Sequence, residues 1–157
     1  MKTRKFFLGN AFSLIELLLV VILIGVLAGL SLPRFSQSYS QIRLEQTAYN
    51  LASMMRYAQG RALSRQEEIQ LQFDSDFTRY HLMERKGDNF EVIEGRRGRA
   101  QLIPKGISIE SEETTVGFSP GGAMDKVRIY LSNEKGKIFT VTTRELRGSV
   151  KVFDSEI

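Results

Sequence analysis

Residues 12–32 read FSLIELLLVVILIGVLAGLSL, an unbroken apolar run of 21 residues whose only charge is Glu16. As a helix with a rise of 1.5 Å per residue, the run is about 30 Å long, which matches the hydrocarbon core of a bilayer. A helix of a soluble domain carries a polar stripe along one side. Here the polar residues are Ser13, Glu16 and Ser31, all near the ends. The run therefore predicts a transmembrane helix. Lys2, Arg4 and Lys5 precede it with no acidic residue among them. Positive flanks stay in the cytoplasm, so everything beyond Pro33 is expected across the membrane, which in a Gram-negative cell is the periplasm. The mean hydropathy of -0.17 hides this, because it averages a membrane span with a polar remainder.

A secretory signal peptide also combines a basic start with an apolar core. Its core is shorter, about 7–15 residues, and its small cleavage-site residues follow that core. In this chain the small residues Gly9 and Ala11 come before the run. Neither a signal peptide nor a plain signal anchor accounts for Glu16. A carboxylate within the membrane costs roughly 2.5–3.5 kcal/mol on insertion scales and is usually paired. Cleavage between Ala11 and Phe12 would create an α-amino group four positions before Glu16, able to neutralise it within one subunit or between neighbours. Gly25 and Gly29 form a G-x-x-x-G pair in the same run. That spacing lets helices approach closely in lipid, although glycine is common in membrane helices in any case.

The segment Ala11-Phe12-Ser13-Leu14-Ile15-Glu16-Leu17, with its basic leader, resembles the class III signal of type IV pilins and of type II secretion pseudopilins. The resemblance implies that a prepilin peptidase cuts before Phe12 and methylates the new N-terminus. It also implies that Glu16, fifth in the mature chain, sets subunit register during assembly. One departure stands out: the family normally has Gly before the cut, and here that residue is Ala11. A cut after Gly9 would leave Asn10 first and Glu16 seventh, so the Ala11–Phe12 bond is the favoured site.

Beyond Pro33, which is expected to kink the helix, residues 36–65 read as an amphipathic helix. Leu44, Ala48, Leu51, Met55, Ala58 and Ala62 recur at steps of four and three, with Ala52 beside them. The abundance of Ala predicts close packing against a sheet rather than a coiled coil. Arg43, Gln46, Asn50, Ser53, Arg56, Arg61 and Arg65 fall on the other faces.

The remainder reads as β-structure. Residues 68–74 alternate strictly, with Ile69, Leu71 and Phe73 on one face. Further strands are expected at 79–85, 90–94, 102–109, 115–119, 127–132, 137–143 and 148–153. Pro104 marks the 102–109 segment as an edge or bulge. The expected class is α+β: a long N-terminal helix, membrane-spanning in its first half, packed on antiparallel β-sheets in the pilin-like manner. The expected organisation is a leader at 1–11, a transmembrane half-helix at 12–32, an amphipathic half-helix at 33–66 and a periplasmic β-rich domain at 67–157.

The order of Asn50–Leu63, Phe118-Ser119-Pro120-Gly121-Gly122, Ile129-Tyr130-Leu131 and Leu146-Arg147-Gly148-Ser149-Val150 resembles the H-type minor pseudopilins and the FimT-like minor pilins. This implies a subunit of the type II secretion pseudopilus tip. The implied partners are prepilin peptidase, other pseudopilins or pilins, an inner-membrane assembly platform and membrane lipid. The alternative is a minor pilin of a type IV pilus, including a FimT-like protein that binds DNA in natural transformation.

No enzymatic role and no cofactor are expected. The chain has no Cys, which excludes thiolate metal sites and a Cys nucleophile. Its one His, His81, lies in an expected strand with no Ser or acid directly beside it. Glu67-Glu68 and Glu112-Glu113 read as solvated turns, and Asp125, Asp154 and Glu156 are too scattered for a calcium loop. The formal charge of +4 suggests nucleic acid at first sight. Removing the three leader cations leaves 19 basic side chains against 18 acidic, which withdraws that argument. The densest basic cluster is Gly95-Arg96-Arg97-Gly98-Arg99, with no interleaved aromatic residue. A solvated loop is its favoured reading, and a DNA contact through Arg96, Arg97 and Arg99 is the sharper one.

Overall fold

The computed structural model describes residues 13–144 and 149–155, and the side chains of all of these except 30–38, 144 and 155. The leader, the Ala11–Phe12 bond and the 146–148 part of the closing motif lie outside the described residues. The chain divides into two compact units, one ending at Ser38 and the other running from Tyr39 to Ile157.

The first unit is helical. Helix α1 (Leu14–Arg65) begins here and continues into the second unit, and position 33 lies within it. Ser13 precedes the helix, and its carbonyl accepts hydrogen bonds from the Glu16 and Leu17 amides. Ser13 and Glu16 thus have the S-x-x-E spacing of a capping box. Glu16 sits in the first turn, where the helix dipole favours a negative charge.

In the second unit the stripe expected from the sequence is wholly buried. Leu44, Ala48, Leu51, Ala52, Met55, Ala58 and Ala62 are all 0% exposed. Each large apolar side chain among them contributes roughly 1.5–3 kcal/mol by burial, and the alanines allow a close approach to the sheets. The helix stops where Gln66 enters the left-handed region at φ 56°, with its side-chain amide donating to the Leu63 carbonyl.

Among the described residues nine strands follow. β1 (Ile69–Phe73), β2 (Arg79–Lys86), β3 (Asn89–Val92), β4 (Gln101–Leu102) and β6 (Thr115–Phe118) form one antiparallel sheet in the order β3-β2-β1-β6, with β4 also on β2. β5 (Ile107–Ser111), β7 (Arg128–Asn133), β8 (Ile138–Arg144) and β9 (Ser149–Ser155) form the second, in the order β5-β7-β8-β9. The class is α+β, as the patterning predicts. A single core joins the buried helix stripe to the inward faces of both sheets, including Leu71, Leu82, Phe118, Ile129, Leu131 and Val141.

One expected strand is two. The 102–109 segment divides into β4 and β5, which belong to different sheets. Pro104 has no amide to donate to a ladder, and Gly106 turns at φ 84°. The chain therefore leaves one sheet and enters the other across these residues. Elsewhere the turn residues behave as expected. Gly87, at φ 63°, closes the tight β2–β3 hairpin in which Lys86 pairs with Asn89. The Asn133 side chain accepts from the Lys135 and Lys137 amides to hold the β7–β8 turn.

Candidate functional site

Two surfaces carry the residues singled out by sequence, one in each unit. The first is the leading part of α1. Large apolar side chains from Leu14 to Leu27 are exposed, from 43% at Val20 to 89% at Leu14. Glu16 is exposed among them. A Cβ built on Gly25 or Gly29 would meet nothing within 4 Å. This stretch thus has, among the described residues, exposed apolar surface and room for close approach at its glycines. Among the described residues no helix is long and apolar enough to cross a membrane. Phe12, the proposed methylation site, lies outside the described residues together with Ala11.

The second surface is a cleft of about 520 Å³ in the domain. The cleft is lined by Thr47, Asn50 and Ser53 from α1, by Arg96 and Arg97 from the β3–β4 connection and by Gln101 of β4. The fold brings two of the three candidate arginines to this cleft, while Arg99 is exposed outside it. The connection owes its shape to Gly98, which is buried against the Ile93 backbone where a Cβ would collide with the Ile93 carbonyl. Arg97 stacks its guanidinium 4.5 Å from the centre of the Tyr57 ring. Such a cation–π contact is worth about 0.5–1 kcal/mol at an exposed position. The aromatic residue missing from the basic segment is therefore supplied by the helix.

Tyr80, which also lines the cleft, is 4% exposed, and burial pushes its phenol up to about 12. Beside Tyr57, the Arg61 guanidinium donates from Nη2 at 2.6 Å and from Nε at 3.1 Å to Glu84 Oε2. The hydrogen bond to Glu84 raises the pKa of Arg61 further, with burial opposing it. Glu84 occupies an inward position of β2, in line with Tyr80 and Leu82. This pair was not anticipated. The signal lay in the period of two, which places an acid where β2 faces the core, but its partner is 23 residues away on a face of α1 that reads as solvent-facing. Arg56, on another such face, donates to the Val150 carbonyl at 2.9 Å.

The remaining candidates do not converge. His81 is half-buried on β2 opposite Gln72. Glu68 pairs with Arg85 at 2.9 Å, while Glu112 and Glu113 are exposed. Among the described residues no group of three His, Asp or Glu side chains could hold a metal ion.

No protein-family model matches the chain. Two curated relatives, both described as fimbrial proteins of Pseudomonas aeruginosa, are each 24% identical over 146 residues, covering 88% of this chain and 85% of theirs. Two solved structures of the minor pseudopilin EpsH, from the type II secretion system of Vibrio cholerae, each superpose with a TM-score of 0.63. They are 9% and 8% identical, and cover 71% and 73% of this chain and 97% of the EpsH chains. The fold is thus pilin-like and similar to that of a pseudopilin.

Proposed function

We propose that this chain is a structural, non-enzymatic subunit, a minor pseudopilin of the type II secretion pseudopilus tip. It is made with the leader 1–11, cut before Phe12, methylated there, and held as a single-pass inner-membrane protein with its β-rich domain in the periplasm. Assembly then packs its apolar half-helix against those of other subunits. The observation that carries this reading is the leading part of α1, which exposes Leu, Ile and Val along its length among the described residues. Water does not tolerate that surface, whereas lipid and neighbouring apolar helices do. The fold shared with EpsH supports the choice of a pseudopilin. Mass spectrometry of the mature protein tests the reading: methylated Phe12 is expected at the N-terminus, and Met1 or Asn10 there would refute the assigned cut.

A second reading, a minor pilin of a type IV pilus, draws support from the fimbrial relatives. Its DNA-binding form draws on the cleft where Arg96 and Arg97 meet Asn50 and Ser53. In that case the protein binds duplex DNA with an affinity that falls steeply with salt. Replacing Arg96, Arg97 and Arg99 with Ala should then weaken binding about tenfold or more. Affinity unchanged in that variant, or none at low salt, eliminates the DNA reading for this cluster.

A further inference from the structure

The domain carries a second basic patch that the assembly reading leaves unused. A pocket of about 240 Å³ is lined by Tyr39, Arg43, Lys105, Glu134 and Lys135, among others. Tyr39 is 63% exposed, and the Arg43 guanidinium lies 5.5 Å from the centre of its ring. Three cations thus face one carboxylate, and among the described residues none of Arg43, Lys105 and Lys135 makes an ion pair. Glu134 instead lies over Gly106, where a Cβ would come within 3.1 Å of its Oε1. The nearby Lys137 is already engaged by Asp154 at 2.6 Å. The patch therefore presents uncompensated positive charge beside an exposed tyrosine.

Chain connectivity limits what this patch can meet. Tyr39 is seven residues beyond Leu32, the last residue of the apolar run. Even fully extended, that segment reaches only about 25 Å. Tyrosine is enriched at membrane interfaces, and basic side chains within about a Debye length, roughly 10 Å, are drawn to anionic lipid. We propose that the patch formed by Tyr39, Arg43, Lys105 and Lys135 docks on the phosphate headgroups of anionic lipid at the surface of the membrane that anchors the chain. This rests on the membrane-anchored reading above. The contact holds the unassembled subunit's domain against the bilayer.

The test uses the full chain in lipid nanodiscs, either of neutral phosphatidylcholine or of phosphatidylcholine mixed with phosphatidylglycerol. The chain has no Cys, so Ser108→Cys, next to Ile107 of the pocket wall, carries a single fluorophore. Quenching by a headgroup-labelled lipid should be about twofold stronger in the anionic discs, and the difference should vanish at high salt. The Arg43→Gln/Lys105→Gln/Lys135→Gln variant should lose the difference while keeping the unlabelled domain's melting profile. If that variant does not fold, Lys135→Gln alone should lose part of it. Equal quenching in the two lipids, or variants quenched like the parent, overturns the proposal. A response to inorganic phosphate in neutral discs would make this a free-anion site and overturns it as well. Failure of the chain to enter discs of either kind refutes the anchored reading itself, and the proposal with it.

Discussion

Helix α1 is one element written in two languages. Between Leu14 and Leu27 the large apolar residues point in every direction and all are exposed. Between Leu44 and Ala62 one stripe, formed by Leu44, Ala48, Leu51, Ala52, Met55, Ala58 and Ala62, is fully buried, and four of its seven residues are Ala. Helix propensity does not explain the contrast: both stretches are helical, although the leading one holds six Ile and Val residues, weaker helix formers than Leu or Ala. The surroundings each stretch is composed for do separate them. The trailing stretch needs a narrow face that lets two sheets come close. The leading stretch leaves its large apolar side chains exposed among the described residues.

The largest expected effect lies at Glu16. Glu16→Ala should leave membrane insertion intact and reduce incorporation into filaments at least tenfold, measured by crosslinking in sheared or fractionated filaments. Ser13 and Glu16 also have capping-box spacing, so a local role competes with charge pairing. Glu16→Gln separates them, because Gln can serve the cap but carries no charge. Assembly restored by Gln would reduce Glu16 to a cap, and normal assembly of the Ala variant would remove the proposed role altogether.

A matched pair of truncations tests the contrast along the helix directly. Leu51→Ala should destabilise the domain by about 2–5 kcal/mol, as other large-to-small core changes do. Leu19→Ala should change domain stability by less than about 0.5 kcal/mol, the range of surface substitutions, and act on assembly instead. Denaturant unfolding of the two variants measures both. Similar losses would mean that the leading stretch is packed on the domain after all, and the contrast would fail.

The smallest effect concerns the trailing stretch and its sheets. Tyr80, buried in the core, has its phenol pushed up from an ordinary 10 to about 12. Between those values the unfolded chain has released a proton that the folded chain keeps. Stability is therefore unaffected below pH 10 and falls as pH rises through that window, by roughly 2–3 kcal/mol at most. Thermal melts from pH 9 to 12 should show the fall, and Tyr80→Phe should flatten it. An equally steep fall in the Phe variant would assign the effect to other groups.

The Arg61–Glu84 pair shows where reading from sequence stops. The inward position of Glu84 follows from the alternation of β2, and the outward position of Arg61 follows from the helical stripe. That they meet at 2.6 Å depends on how α1 lies across the sheet. Breaking such a pair from one side is costlier than replacing both members, so neither residue is understood alone. Arg97 behaves likewise: its segment carries no aromatic residue, yet Tyr57 stands beside it.

Sequence alone determined the apolar run with its one acid, the buried stripe of α1, the alternation of β1 and the positions of most strands. These are local patterns, fixed by the 3.6-residue and two-residue periods and by turn residues such as Gly87. Tertiary structure alone decided that 102–109 is shared between two sheets, that Arg56, Arg61 and Arg97 find partners within the fold, and that Lys105 and Lys135 gather beside Arg43. These contacts join residues up to 94 positions apart. No period links such distant positions, and their meeting follows from which faces the core forces together.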